Sequence, residues 1–159
     1  MKNIFKLMAI LTFVCCFASC DDEEEIIPAL PVTTANLDGV WQMTEWNNGE
    51  ALPEELYSYI VFNRKEQTFE IYGNLNSMYA EFFTGEFKIK NDPYLGSVIS
   101  GEYSFGLGKW TSEYIVTDLL PSGEMTWTAT EDAEDVRKFV RCEKVPEEIV
   151  EESKKEKVL

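Results

Sequence analysis

The sequence predicts an all-β fold over residues 37–145, an antiparallel up-and-down β-barrel of about eight strands. Three observations predict it. Short runs rich in aromatic and β-branched residues recur at hairpin spacing, each closed by Gly, Asn, Asp or Pro. Within the runs apolar and polar residues alternate: Trp41 and Met43 against Gln42 and Thr44, Ile60 and Phe62 against Tyr59, Phe69 and Ile71 against Thr68 and Glu70, Met125 and Trp127 against Thr126 and Thr128. That period buries one face of each strand. No stretch of this region sustains a helical apolar period for long. The alternation suits a two-sheet sandwich as well as a barrel. Closure is attractive because it removes the edges along which an open sheet of this length aggregates.

Taken in order, the first strand covers 40–46 and is ended by Asn47-Asn48-Gly49. Residues 51–56 suit one helical turn, with Glu54 and Glu55 favourable near its start. Strands follow over 57–63 and 68–72, separated by a turn at 64–67. Residues 78–83 and 85–90 are two strands or one bent at Gly85, since glycine inside a strand often marks a bend. Asn91-Asp92-Pro93 turns the chain into 97–104, where Gly101 is a further possible bend. Strands over 110–118, 124–130 and 135–143 complete the set, with Leu120-Pro121-Ser122-Gly123 a clear turn. Residues 146–159 form a charged tail with Glu-then-Lys spacing, a frayed helix at most.

Residues 1–19 read as a secretory leader: Lys2 and Lys6 supply its positive start, 7–18 its apolar core, and Ala18-Ser19 a small-residue approach to a cut. That core is too short to span a bilayer. Cys20 directly after the small pair resembles the lipobox of bacterial lipoproteins. The resemblance implies that the Cys20 thiol is acylated, with palmitate among the chains, and that Cys20 becomes the first mature residue. An ordinary secreted protein cut near Ser19 is the other reading. One acyl chain holds a protein to a membrane only marginally, each buried methylene contributing about 0.8 kcal/mol, whereas several hold it durably.

Asp21-Asp22-Glu23-Glu24-Glu25 follows, and with Pro28 and Pro31 it makes 20–36 an extended acidic tether. Such a run resembles the surface-export signal of lipoproteins from some Gram-negative bacteria, which implies the outer membrane and the cell surface. Two readings compete with it. An Asp after the lipidated cysteine also resembles an inner-membrane retention signal, with the domain facing the periplasm, and the run can be a solvated spacer.

The chain carries a net charge of −15, and removing Lys2 and Lys6 with the leader takes it to −17. Such a surface repels nucleic acid, and no basic patch with interleaved aromatics relieves it. Of the 4 cysteines, Cys15 and Cys16 lie in the leader and Cys20 is the lipid site, which leaves Cys142 alone. No disulfide forms within the mature chain, and Cys142 reads as a half-buried strand residue. With 0 histidines the usual triads and zinc sites are absent. Gly106-Leu107-Gly108-Lys109 lacks the further glycine and hydroxyl of a phosphate loop and reads as a hairpin turn. Residues 131–135 lack calcium-loop spacing and read as a solvated loop. The expectation is a protein without cofactor or metal, and not an enzyme.

Gly39-Val40-Trp41 at the start of the first strand is similar to the G-x-W of lipocalin and wider calycin barrels. In those the tryptophan packs across the closed end. An Asn-Gly turn, the Ile60-Val61-Phe62 strand, a Tyr-x-Val strand at Tyr114 and a last strand near Phe139 resemble, in this order, the lipocalin-like domains of bacterial lipoproteins. The chain departs from that pattern in having no disulfide at its C-terminus, no recognisable helix to pack outside the barrel, and a shorter domain.

A barrel of about eight strands has a lumen either filled by its own side chains or wide enough for one small ligand. In the binding reading Trp41, Phe62, Phe69, Tyr103, Tyr114 and Trp127 line a pocket for a small apolar or aromatic molecule. In the other they fill the lumen of a solid module. A third reading places recognition outside, where Trp46, Tyr57, Tyr59, Tyr79, Phe82 and Tyr94 near strand ends stack on a glycan or a protein partner. Binding of a small ligand by a surface lipoprotein is the preferred reading.

Overall fold

The computed structural model describes residues 27–155. The leader, Cys20 and the acidic run 21–25 lie outside the described residues, as do residues 156–159. Nine strands follow one another: β1 (Gly39–Trp46), β2 (Glu50–Ala51), β3 (Ser58–Asn63), β4 (Thr68–Gly73), β5 (Glu81–Asp92), β6 (Gly96–Tyr103), β7 (Tyr114–Thr117), β8 (Glu124–Ala129) and β9 (Val136–Cys142). All pairings are antiparallel. From β3 to β9 each strand pairs with the next, and β1 pairs with β3 on one side and β9 on the other. Eight strands therefore close into a barrel, while β2 only extends the end of β1 through Glu45 and Trp46. The seam runs from Val40 opposite Cys142 to Met43 opposite Phe139, with a bulge before Glu45. Closure excludes the sandwich.

The two ends differ in kind. At one, the turns β3–β4, β5–β6 and β7–β8 are short and self-capped. Asn63 Oδ1 accepts from the Lys65 and Glu66 amides, and Asp92 Oδ1 accepts from Tyr94 and Leu95 at 2.9 and 3.1 Å. These backbone bonds are the main reason the Asp92 carboxyl lies below its ordinary range. At the other end residues 47–57, 74–80 and 104–113 form longer connections, joined there by residues 130–135, a connection as long as β7–β8.

The short-turn end is sealed. A one-turn helix, α1 (Thr34–Leu37), is capped by Thr33, whose Oγ1 accepts from the Asn36 amide. It brings Leu37 under the barrel beside Trp41, both wholly buried. The Trp41 indole Nε1 donates to the Leu37 carbonyl at 2.8 Å. Arg141 from β9 lies 4.2 Å over the same indole ring and donates to the Asp38 and Asn36 carbonyls. Gly39 makes room for this: its φ is +113°, and a Cβ there stands 2.8 Å from Arg141 Nη1. The sealed end reaches further back than the expected boundary at 37. Leu30 donates its amide to the Leu119 carbonyl at 2.7 Å, and Leu30 and Val32 pack on the core. Proline gave this stretch the look of a linker, but its two apolar residues find a surface to cover.

Along the wall, β5 is one continuous strand that runs through Gly85 in unbroken register with β4 and β6. A Cβ there comes within 2.1 Å of the Glu102 carbonyl oxygen and 2.7 Å of the Phe69 ring. The strand expected over 110–118 is shorter. β6 and β7 share only Val98–Ile115 and Ile99–Tyr114, and Trp110 fills the gap beside Gly101, where a Cβ stands 2.2 Å from its indole.

The C-terminal tail corrects the expectation of no outer helix. Residues Glu147–Lys155 form α2, and Val145, Ile149 and Val150 pack on Tyr59, Tyr72, Val40, Val61 and Cys142 outside the barrel. Tyr59, read from alternation as facing solvent, is buried beneath that cluster. Charge dominates the tail's composition, so three apolar residues left no periodic signal. Cys142 is free and half-buried on β9, and burial pushes its thiol up.

Gly39→Ala is expected to destabilise the fold by about 2–3 kcal/mol through strained backbone and the Arg141 clash. Gly96→Ala, also at positive φ but with no atom within 4 Å of its Cβ, should cost only about 1 kcal/mol. Urea unfolding checks this; equal losses contradict a special role for the Arg141 contact.

Candidate ligand site at the open end of the barrel

Above the seal the lumen is filled by rings. Phe62 packs edge-on against Phe87 at 4.8 Å and lies 6.2 Å from Trp127. Trp127 stacks on Tyr114 at 5.3 Å and packs against Phe139 at 4.7 Å. Phe69 packs on Trp110 at 5.0 Å and on Tyr103 at 5.7 Å. The space that remains is a cavity of about 130 Å³ at the long-loop end. Met43, Ile60, Ile71, Phe83 and Phe139 supply its apolar wall, Leu75 a lip from the β4–β5 loop, and Trp127 and Tyr103 two of its rings. Ser58, Asn76, Glu81 and Arg137 add the polar groups.

Local chemistry fixes that rim. The Tyr57 amide donates to Asn74 Oδ1 at 2.8 Å, and Asn74 Nδ2 donates to the Glu55 carbonyl at 2.8 Å. One asparagine thus ties two mouth loops together. Arg137 Nε and Nη2 donate to the two Asp135 carboxylate oxygens, each at 2.9 Å, and the guanidinium lies 4.7 Å over the Tyr114 ring. The Tyr114 hydroxyl donates to Asp135 Oδ2 at 3.4 Å. Burial raises the Tyr103 and Tyr114 hydroxyls above the ordinary tyrosine range against the opposing pull of Arg137. Among the described residues no three His, Cys, Asp or Glu side chains are grouped to hold a metal ion.

Of the six residues expected to line a pocket, Tyr103 and Trp127 border the cavity. Phe62, Phe69 and Tyr114 are buried in the filled lumen below, and Trp41 lies at the sealed end. Of the six expected at strand ends for outside recognition, Tyr79 and Tyr94 are exposed. Tyr59 and Phe82 belong to the outer cluster with Tyr57, and Trp46 packs on the core. Arg137, Asp135 and Glu81 were missed, because a carboxylate-rich chain gives no one charge a signal. A second hollow of about 320 Å³ lies outside the β6–β7 break, lined by Glu86, Lys88, Glu102, Lys109, Trp110 and Glu131 among others.

A closed antiparallel barrel of eight strands, sealed at one end and hollow at the other, defines a class of barrels able to hold small ligands. The chain belongs to the family of lipocalin-like domains: the family model described as "Lipocalin-like domain" matches residues 37–127. That match stops within β8, and the structure supplies the last strand and the seam. No curated protein matches the chain, and neither does any solved structure.

Tyrosine ionisation checks the site's electrostatics. A raised phenol pKa favours the folded state below the ordinary value of about 10, and that contribution is lost as pH rises through the folded value. Removing the guanidinium by Arg137→Leu should move Tyr114 ionisation to still higher pH in an ultraviolet titration. A downward move contradicts the arrangement.

Proposed function

We propose that this lipocalin-like protein is a membrane-anchored, non-catalytic bacterial lipoprotein of the outer-membrane surface that holds a small apolar or aromatic molecule at its barrel mouth. The observation that carries the binding reading is the cavity, apolar in its walls and polar at a few points, as ligand sites are. Its size sets the scale of the ligand. A cavity of about 150 Å³ lined by apolar side chains takes one benzene ring. Burying about 200 Å² of such a ring at about 25 cal/mol per Å² gives about 5 kcal/mol, a dissociation constant of about 0.2 mM. The anchor rests on Cys20 after Ala18-Ser19, and the surface address on the length of the acidic run that follows.

One observation favours a second reading, an interaction module that recognises a glycan or protein through its mouth loops. Met78, Tyr79, Phe105 and Leu107 are exposed on the two connections flanking β5 and β6. Phe105 holds φ at +61° while 95% exposed, so the free protein gains nothing from its ring.

Toluene should raise the melting temperature of the purified protein. Leu75→Trp, which carries an indole over the mouth from a loop, should abolish that shift without unfolding the barrel. A shift that survives Leu75→Trp places the ligand elsewhere. Cys20→Ser should abolish palmitate labelling in the host, and protease added to intact cells should remove the protein without lysis. Labelling of the variant, or protection of the protein on intact cells, contradicts the anchor or the address in turn.

A further inference from the structure

Two loops at the mouth differ from the rest of the surface. Residues 74–80 and 104–108 contain no charged side chain, in a chain whose net charge is −15. One leads into β5 and the other out of its neighbour β6, and between them they expose Met78, Tyr79, Phe105 and Leu107. Local bonds hold these side chains out. The Tyr103 amide donates to the Gly108 carbonyl at 2.7 Å and closes the second loop. Within it Phe105, Gly106 and Gly108 all have positive φ. Glycine adopts that backbone freely and phenylalanine does not, so the loop is strained at Phe105 while the ring is 95% exposed. In the first loop Ser77 Oγ accepts from the Tyr79 amide at 3.1 Å. Apolar side chains grouped in water in this way mark a surface that meets a partner or a membrane.

We infer that these two loops seat on a neutral lipid bilayer, with Met78, Phe105 and Leu107 entering its interface and the Tyr79 ring at headgroup level. The absence of charge is the main argument. Charged groups are costly within a bilayer, whereas Phe and Leu enter its boundary and Tyr suits the headgroup level. A rigid protein face needs a pocket for each projecting side chain. A glycan needs directed polar groups, and of the four only Tyr79 brings a hydroxyl. The sealed end shows the contrast: Tyr94 is 94% exposed there, but Lys90 and Asp92 pair at 3.7 Å in the same turn. Across the mouth, Glu54 and Glu55 lie in one connection and Glu131, Asp132 and Glu134 in another. These carboxylates confine the contact to the β5 and β6 side and turn it away from anionic lipid. The proposed anchor permits this orientation. Ten residues lead from Cys20 to Leu30 and reach at most about 33–36 Å, against about 26 Å for the 8 residues of β1.

Full-length Cys20→Ser, which has no acyl chain to anchor it, should float with vesicles of phosphatidylcholine. Adding Phe105→Gly should lower its partition coefficient about tenfold without lowering the melting temperature, since glycine relieves the strained backbone. Adding Tyr94→Ser instead should leave partition unchanged, and replacing half of the lipid by phosphatidylglycerol should weaken it. A spin label on the lipid should broaden the amide signals of Met78, Tyr79, Phe105 and Leu107 and spare those of Tyr94 and Leu95. Equal partition with and without Phe105→Gly, tighter binding to phosphatidylglycerol, or broadening at Tyr94 overturns the inference. No flotation at all overturns it too and leaves the loops to a glycan or a protein. Self-association without vesicles that Phe105→Gly abolishes assigns them to a second copy of the chain, against the inference. None of these outcomes bears on the mouth cavity, which the toluene shift tests separately.

Discussion

Trp41 and Arg141 hold the barrel shut. They come from its first and last strands and stack at 4.2 Å, so the contact joins the two chain segments that must meet for a sheet to close. Around it the parts depend on one another. Gly39 leaves room for the guanidinium, the Leu37 carbonyl takes the indole proton, and the Asn36 and Asp38 carbonyls take two of Arg141's. Without β1 against β9 the sheet has two free edges, each a row of unpaired backbone groups.

The seal assigns roles to the two ends. Short capped turns and α1 make one end rigid, and the rings above it fill the lumen until only a ring-sized space remains. The hollow is therefore left at the other end, where Leu75 and Asn76 from the β4–β5 loop join Glu81 of β5 and Arg137 of β9 around an apolar wall. Binding residues commonly sit on loops that a rigid scaffold positions. The aromatic wealth of the chain serves packing first: Phe62, Phe69 and Tyr114 are structural, while Trp127, Phe139 and Tyr103 belong both to the packed rings and to the cavity wall.

The strands were legible because a half-buried strand imposes period two on its side chains and its turns require particular residues. Trp41, Phe69 and Met125 read as inward and are buried. The G-x-W pattern was legible too, and the structure gives its reason in the space that Arg141 needs above Gly39. What could not be read depends on contacts distant in sequence. Tyr59 looked solvent-facing because the residues that cover it lie at the far end of the chain. Leu30 and Val32 looked like linker because the surface they cover exists only after closure. Arg137 was indistinguishable from any other charge until Asp135 and Tyr114 were seen around it.

Pressurising crystals with xenon tests the division between a filled lumen and a hollow mouth most directly, since xenon enters apolar space of this size whatever the natural ligand. One site is expected, at the mouth among Ile60, Phe83 and Trp127. Xenon between Phe62 and Phe87 contradicts the filled lumen, and no xenon at the mouth contradicts the cavity on which binding depends.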